Sequence, residues 1–217
     1  MKAMVFMKMN SERVPYKNIR ELKGMPLFYW SINTLLQSIF IDTVYIDTDS
    51  KIIRYLIKEI WGNDFRVVVL DRPKYLLGDD VTANSLISGL LNRVEGEVFL
   101  MTHVTSPLVK VETINSAISL YLEIPNHSLI GVTPNQFNLY TEYGEPLNHN
   151  PYKVTMTQRR EPVFEENSAL YIFTRESFNT YGRVGDNPYL FPMSKIESLD
   201  IDTEEDWIIL NALMGVT

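Results

Sequence analysis

Short apolar runs alternate with segments of helical periodicity along residues 2–132, and this order constrains the fold more than any other feature. The apolar runs lie at 2–7, 43–46, 65–70, 97–101 and 128–132. The helical segments lie at 26–38, 51–61, 82–91 and 111–122. Strands that alternate with single helices predict βαβ units with right-handed crossovers, and therefore an α/β protein with a parallel sheet.

Polar segments follow four of the predicted strands. They lie at 8–18, 47–50, 71–81 and 102–107. In an open parallel sheet, ligands bind beyond the carboxyl ends of the strands. We therefore expect the functional site to be built from these four segments.

Residues 134–162 depart from the alternation, because they are polar, rich in aromatic side chains and interrupted by proline. The sequence Tyr143-Gly144-Glu145-Pro146 indicates a turn, and it predicts a protruding hairpin with a short strand on each side. A surface excursion and a dimer arm or lid are both open interpretations of this segment. The pattern then resumes with strands at 169–173 and 189–193 and a closing helix at 206–214, so we expect one domain over residues 1–217.

The composition excludes several function classes. The chain has 20 Lys and Arg against 27 Asp and Glu, a net charge of −7, so we expect no nucleic-acid partner. No apolar run approaches the length of a membrane span, and the N-terminal run is too short for a signal peptide. The absence of cysteine excludes a disulfide scaffold and a thiol nucleophile. We expect a cytoplasmic protein that is not bound to a membrane.

The loop after the first strand combines cations with short polar side chains. Lys8, Arg13 and Lys17 lie within ten residues, accompanied by Asn10, Ser11 and Asn18. Such a loop, opening above the sheet, suits a polyphosphate, although it contains no Walker motif. The alternative is a solvated loop with scattered charges.

Two aspartates near the C-terminus form a candidate metal site. If residues 199–202 are extended, Asp200 and Asp202 point to the same face, because strand side chains alternate. Two carboxylates on one face suit Mg²⁺, which completes its shell with water and phosphate oxygens. Alternatively, Asp202 or Thr203 caps the final helix, and both roles can hold at once.

Seven short motifs stand in a fixed order along the chain. They are the loop 7–18, Gly24-Met25-Pro26-Leu27, Asp47-Thr48-Asp49, Arg72-Pro73 with Leu76 and Asp79, Thr105-Ser106-Pro107-Leu108, the segment Asn167–Phe173 and the segment Leu199–Asp206. In this order they resemble the CMP-sialic acid synthetase family, the acylneuraminate cytidylyltransferases, which are related to the CMP-KDO synthetases.

The resemblance implies a doubly wound α/β fold with a mostly parallel sheet, as in Rossmann-like nucleotidyltransferases. It also implies Mg²⁺-dependent transfer of CMP from CTP to an acidic sugar, with release of pyrophosphate. Segment 134–162 would then be a dimerisation arm that reaches the active site of the partner in a homodimer.

The same resemblance assigns roles to individual residues. Lys17, Asp200 and Asp202 would be catalytic, and the two aspartates would bind the metal. The nucleotide would contact Lys8, Asn10, Ser11, Arg13, Lys17, Asn18, Arg72, Asp79 and Ser85. The acceptor would contact His103, Gln158 and Arg159.

Several positions depart from the family pattern. Lys8 replaces an arginine, Glu12 replaces the loop lysine, and Arg13 replaces a glycine. We expect Arg13 to take over the cationic role that Glu12 cannot fill. Thr157 stands where the family often has an arginine that binds the sugar carboxylate. Two alternatives therefore stay open: a cytidylyltransferase acting on a phosphonate or other small acid, and a pseudoenzyme that binds the nucleotide or sugar without turnover.

Overall fold

The computed structural model describes residues 1–124, 128–153, 156 and 159–215. The strands are β1 Lys2–Met7, β2 Glu21–Leu22, β3 Met25–Pro26, β4 Thr43–Thr48, β5 Val67–Asp71, β6 Val98–Met101, β7 Ser128–Asn135, β8 Val163–Thr174 and β9 Tyr189–Pro192. The α-helices are α1 Leu27–Gln37, α2 Lys51–Trp61, α3 Ala83–Leu91, α4 Val111–Glu123, α5 Arg175–Tyr181 and α6 Glu204–Leu213. Two short 3₁₀ turns lie at Lys17–Ile19 and Lys74–Leu76.

Seven strands form the main sheet in the order β5-β4-β1-β6-β8-β7-β9. The β1 strand pairs in parallel with β4 on one side and with β6 on the other, whereas β8 runs antiparallel to both of its neighbours. The prediction of a doubly wound, mostly parallel sheet is confirmed. The winding reverses between β1 and β6, and this switch point is where such sheets leave a crevice for ligands.

Hydroxyl side chains cap the N-termini of several helices. Ser50 accepts a hydrogen bond from the backbone N–H of Ile53 at the start of α2, and Thr82 accepts one from Ser85 at the start of α3. These caps satisfy N–H groups that have no partner within the helix. The predicted start of α3 at residue 82 therefore moves by one position, because Thr82 is its cap.

The core lies on both faces of the sheet. Alternate residues of β1 divide between them: Val5 packs with α1, α2 and α4, whereas Met4 packs with α3 and α5. A third apolar cluster lies beneath the first loop and comprises Val14, Leu22, Leu27, Ile201, Trp207 and Leu210. This third cluster joins the loop to the start of α6.

Two elements differ from the sequence-based expectation. The β8 strand is 12 residues long rather than five, because its first half pairs with the extended end of β7. Helix α5 was not predicted, and it follows β8 directly, with Thr174 as its cap. Within the described residues, no helix is both long and apolar enough to cross a bilayer.

Residues 136–162 connect β7 to β8 and are called the arm below. A tight hairpin forms its tip: Tyr140 and Pro146 form an antiparallel bridge, and Gly144 adopts a positive φ of 80° in the turn between them. The predicted hairpin is present, but it has a single bridge rather than two strands. The role of the arm in dimerisation stays a prediction.

Candidate active site

A cavity of about 340 Å³ opens above the carboxyl ends of β1 and β6, at the switch point of the sheet. Its lining residues are Phe6, Lys8, Asn10, Ser11, Glu12, Arg13, Lys17, Asn18, Asp79, His103, Val104 and Thr105. This set contains eight of the residues predicted from the sequence: Lys8, Asn10, Ser11, Arg13, Lys17, Asn18, Asp79 and His103. The structure therefore brings the first loop and the end of β6 together.

Two internal contacts fix the first loop over the sheet. The Val14 side chain is fully buried in the third apolar cluster, beside Ile201. The side-chain Nδ2 of Asn18 donates to the backbone carbonyl oxygen of Lys8 at 2.7 Å, which joins the two ends of the loop. Because the apolar residue points inward, the charged residues on either side of it face the cavity. Asn18 itself is buried and holds the loop.

The loop cations are paired with carboxylates of the chain. Lys8 contacts Asp79 at 2.8 Å, and Arg13 contacts Asp202 at 2.7 Å. Lys17 lies 3.5 Å from Asp202 and also donates to the carbonyl oxygen of Ile201. The Lys17 side chain is only 12% exposed, whereas that of Arg13 is 64% exposed. Lys17 is therefore held in place by burial and by its two contacts, whereas Arg13 is held only by the contact of its guanidinium with Asp202.

The aspartate segment alternates as predicted. Ile201 is fully buried and its N–H donates to the Thr105 carbonyl at 2.9 Å, while Asp200 and Asp202 stay half-buried. Asp200 accepts a hydrogen bond from Ser106 at 3.3 Å. The cap of α6 is Thr203, which forms a reciprocal capping box with Asp206. Thr203, not Asp202, is therefore the cap residue, and the Asp202 carboxylate faces the loop cations.

The metal prediction rests on these two aspartates alone. Among the described residues, no group of three or more histidine, cysteine or acidic side chains could hold a metal ion. Mg²⁺ does not need such a group, since it often binds through one or two carboxylates and keeps water or phosphate oxygens in its remaining positions. The oxygen donors of Asp200 and Asp202 therefore fit Mg²⁺ when a phosphate ligand is also present.

His103 carries an enclosed nitrogen with no partner. Its Nε2 atom is buried and has no hydrogen-bond partner among the described residues. Burial lowers the pKa of His103, and the nearby Arg183 charge lowers it further, against a smaller opposite effect of Asp200. The imidazole is therefore neutral near pH 7. An enclosed nitrogen of this kind usually has a role that a ligand or water completes.

Arg72 lies below the cavity rather than in it. Its Nε donates to Asp47 at 2.6 Å, and one terminal nitrogen donates to the Met7 carbonyl at 3.0 Å. Arg93 contacts the other oxygen of Asp47 at 2.5 Å. Asp47 is completely buried, so these two arginines neutralise a buried charge and hold the end of β1. The structure does not place Arg72 against the cavity, because Asp47 engages its guanidinium.

Two further predicted residues lie elsewhere, and a third is outside the described part of the chain. Ser85 lines a separate cavity of about 740 Å³ between α3 and α5. Arg159 lines a cavity of about 440 Å³ within the arm, beside Tyr140 and His149. Gln158 lies outside the described residues. Within one chain, therefore, neither Ser85 nor Arg159 joins the cavity at the switch point.

A group that the sequence did not reveal flanks His103. The Tyr171 ring lies 6.4 Å from the His103 ring, and the Arg183 guanidinium lies 4.4 Å above the Tyr171 ring. The Tyr171 hydroxyl donates to Glu166 at 2.5 Å; burial and then this bond raise the pKa of Tyr171 to about 12. We call Glu166, Tyr171 and Arg183 the Arg183 cluster. No local sequence pattern predicted the Arg183 cluster, because Arg183 lies in the loop between α5 and β9.

The chain is similar in sequence to known proteins. An N-acylneuraminate cytidylyltransferase of Streptococcus agalactiae serotype V is 26% identical over an alignment of 208 positions, gaps included, which covers 91% of this chain and 49% of that protein. A CMP-N,N′-diacetyllegionaminic acid synthase of Legionella pneumophila is 28% identical over an alignment of 224 positions, gaps included, which covers 94% of this chain and 91% of that protein. The chain spans about half the length of the N-acylneuraminate cytidylyltransferases it matches.

Solved structures share the fold. The CMP:2-keto-3-deoxy-manno-octonic acid synthetase, complexed with CTP, superposes with a TM-score of 0.72 at 12% identity and covers 98% of this chain and 97% of its own. A 4-diphosphocytidyl-2C-methyl-D-erythritol synthase from Anaerococcus prevotii superposes with a TM-score of 0.71 at 14% identity, covering 99% and 95%. The sheet is therefore that of a Rossmann-like nucleotidyltransferase. Residues 3–210 match the cytidylyltransferase family, and the chain belongs to that family.

Proposed function

We propose that this chain transfers CMP from CTP to an acidic sugar and releases pyrophosphate. The observation that carries the proposal is the convergence of three loop cations and Asp202 at the switch point of the sheet. Relatives named for N-acylneuraminate and for N,N′-diacetyllegionaminic acid support an acidic sugar as the acceptor. The structural neighbour with CTP supports the same nucleotide.

The phosphates would replace carboxylates as partners of the loop cations. Lys8 and Arg13 would leave Asp79 and Asp202 and turn to the triphosphate, while Lys17 stays in place because it is nearly buried. An acceptor hydroxyl oxygen then bonds to the α-phosphorus as the bond from that phosphorus to the oxygen bridging to the β-phosphate breaks, and the hydroxyl proton passes to solvent. The pyrophosphate carries the released charge away, and the cations stabilise that charge as it develops. Asn10 and Ser11, which line the same cavity, are placed to contact the phosphates.

Asp200 and Asp202 would hold a Mg²⁺ ion. When bound, the ion neutralises phosphate charge at the reacting centre. Binding of the ion would also occupy the Asp202 carboxylate, which Arg13 now contacts. Arg13 would then be available for the nucleotide.

The acceptor side of the site would include His103 and the arm of a second chain. The arm exposes large apolar side chains, with Tyr143 at 82% and Tyr152 at 96% exposure. Aromatic residues of this kind are enriched in interface cores. In a C2 homodimer, each arm would pack on the partner and bring Arg159, together with Gln158 by its position in the sequence, to the partner's acceptor pocket.

A pyrophosphate-release screen tests the proposed reaction. The protein is incubated with Mg²⁺ and CTP, UTP or ATP, and with N-acetylneuraminic acid, N,N′-diacetyllegionaminic acid, 2-keto-3-deoxy-manno-octonic acid or a set of phosphonates. We expect pyrophosphate with CTP and at least one of the acidic sugars, and none for Lys17→Ala. Release with phosphonates alone would favour the other acceptor class. CTP binding without release for any acceptor would identify a pseudoenzyme.

A further inference from the structure

Arg183 is a half-buried cation whose guanidinium has almost no hydrogen-bond partner. Its side chain is 21% exposed, and its plane is held 4.4 Å above the ring of Tyr171. Within the described residues, the one side-chain contact of its N–H groups is to Glu166 at 3.5 Å, the long limit for a hydrogen bond. A guanidinium carries its N–H donors in a fixed fork, and the donors of Arg183 that do not face Glu166 are open to solvent or to a ligand.

The neighbouring carboxylate does not satisfy this group. Glu166 accepts the hydroxyl of Tyr171 at 2.5 Å, much closer than its contact with Arg183. Tyr171 also contacts the Ser168 hydroxyl at 3.3 Å, so the ring beneath Arg183 is fixed from two sides. The Arg183 cluster therefore holds the guanidinium in position but leaves its donors open.

A second unpaired polar group lies next to the cluster. The Nε2 atom of His103 is enclosed and without a partner among the described residues, and the His103 ring lies 6.4 Å from the ring of Tyr171. His103 lines the cavity that contains the loop cations. His103 thus lies between the cavity and the Arg183 cluster, and the charges of both Arg183 and Asp202 act on its ring.

We propose that Arg183 binds the carboxylate of the acidic acceptor and that His103 Nε2 forms a hydrogen bond with an acceptor hydroxyl or amide. This inference rests on the proposed function, because it takes the acceptor to be an acidic sugar. A carboxylate matches the fork of a guanidinium in a bidentate pair, which a lysine cannot reproduce. Stacking on Tyr171 lowers the entropic cost of pairing, since the guanidinium is already oriented. Glu166 is a positioning residue that orients Tyr171.

The test compares each acid with a probe that lacks only its charge. N-acetylneuraminic acid, N,N′-diacetyllegionaminic acid and 2-keto-3-deoxy-manno-octonic acid, and the methyl ester of each, are titrated calorimetrically into the intact protein with CMP present. For the wild-type chain we expect at least one acid to bind about tenfold or more tightly than its ester. For Arg183→Gln we expect that preference to fall below about twofold, with an unchanged Kd for CTP. Arg183→Lys should recover part of the preference.

Arg20→Ala is the matched control. Arg20 also stacks on an aromatic ring, 4.3 Å above Trp207, beside a carboxylate, Glu204, at 2.7 Å, but it does not line the cavity. Its loss should lower the melting temperature without altering the ratio of acid to ester affinity. Arg183→Gln and Arg183→Lys are compared by the same melting measurement, which separates misfolding from a binding defect.

Three results would overturn the proposal: equal binding of acid and ester by the wild-type chain, an undiminished preference in folded Arg183→Gln, or no binding of any of the three acids. The proposed reaction fails separately. A chain that binds the acid through Arg183 but releases no pyrophosphate would contradict the transfer reaction and leave the carboxylate site intact.

Discussion

The first loop and the arm are both polar segments that interrupt the alternation of strands and helices, yet they differ in how they are held. The loop 8–18 is anchored at Val14, which is fully buried, and closed by the bond from Asn18 to the Lys8 carbonyl. The arm forms hydrogen bonds mostly within itself, such as the one from the N–H of Thr141 to the Glu145 carbonyl at 2.8 Å. Its aromatic side chains stay exposed.

This difference shows what makes a loop a preorganised site. When an apolar residue of the loop is anchored in the core, the charged residues on either side are presented to ligand at fixed positions. Among the described residues of the arm none is buried in this way, and its candidate ligand residue Arg159 lies in a cavity of its own. The predictions below test whether function follows this difference, from the largest expected effect to the smallest.

Replacing Arg72 tests the buried support beneath the first loop. Arg72→Ala would leave Asp47, fully buried, with one arginine and remove the bond to the Met7 carbonyl. Removal of one partner of a buried ion pair costs about 3–5 kcal/mol. We expect the free energy of unfolding in urea to fall by that amount, whereas Arg159→Ala in the arm should change it by less than about 0.5 kcal/mol. An Arg72→Ala chain of normal stability that merely binds CTP weakly would contradict this account.

Replacing Asp202 tests the charged face of the loop. Asp202→Asn keeps the shape of the side chain but removes the charge that faces Arg13 and Lys17 and that would hold the metal. We expect turnover to fall by about 100-fold, a barrier increase of about 2.7 kcal/mol, with the fold intact by circular dichroism. Glu145→Gln, the matched change in the arm, should leave turnover nearly unchanged. Normal rates for Asp202→Asn at saturating Mg²⁺ would rule out the assignment.

Replacing Arg13 tests whether it compensates for Glu12. Arg13→Ala removes a cation that would contact the phosphates, so we expect the Kd for CTP to rise by about tenfold. We expect the same rise for Lys17→Ala. A tenfold rise corresponds to about 1.4 kcal/mol of binding free energy. Glu12→Lys should be tolerated, because it adds a cation to a lining that already holds anions. Lys153→Ala removes a cation from the arm and serves as the control. If Arg13→Ala binds CTP normally, the compensation does not occur.

Shortening the arm should have the smallest effect on nucleotide binding. Deletion of Leu139 to Asn150 removes the hairpin tip, which has no buried residue. We expect the Kd for CTP to change by less than about twofold, and the free energy of unfolding by less than about 1 kcal/mol at fixed protein concentration. Sedimentation should give a dimer for the intact chain and a monomer for the shortened one, with poor acceptor use. An intact chain that is a fully active monomer at micromolar concentration would refute the role of the arm.

The parts of the structure that could be predicted depend on neighbours in sequence. Runs of apolar residues with polar ends determined β1, β4 and β6, and helical periodicity determined α2 and α3. The loop cations could be grouped because they lie within ten residues of each other and follow a strand. The alternation around Ile201 likewise needed only three consecutive residues.

The parts that could not be predicted depend on distant pairing. The family resemblance assigned Arg72 to the nucleotide, and the structure pairs its guanidinium with Asp47, 25 residues earlier, in the buried interior. Arg183 and Tyr171 meet only because α5 turns the chain back over β8. The length of β8 was hidden for the same reason, since its first half is held by pairing with β7 and is exposed on its other side.

The place of β8 in the sheet has a consequence for how the chain folds. Strands β5, β4, β1 and β6 form one block, and β7 belongs to another that β9 later completes, but β6 and β7 do not pair with each other. The gap between them is filled only by residues 163–174. During synthesis the first 135 residues therefore carry three strand edges that only later residues pair, one of β6 and both of β7, and the sheet becomes continuous when β8 inserts between β6 and β7. The long connection through the arm hinders this insertion little, because the entropy of closing a loop grows only slowly with its length.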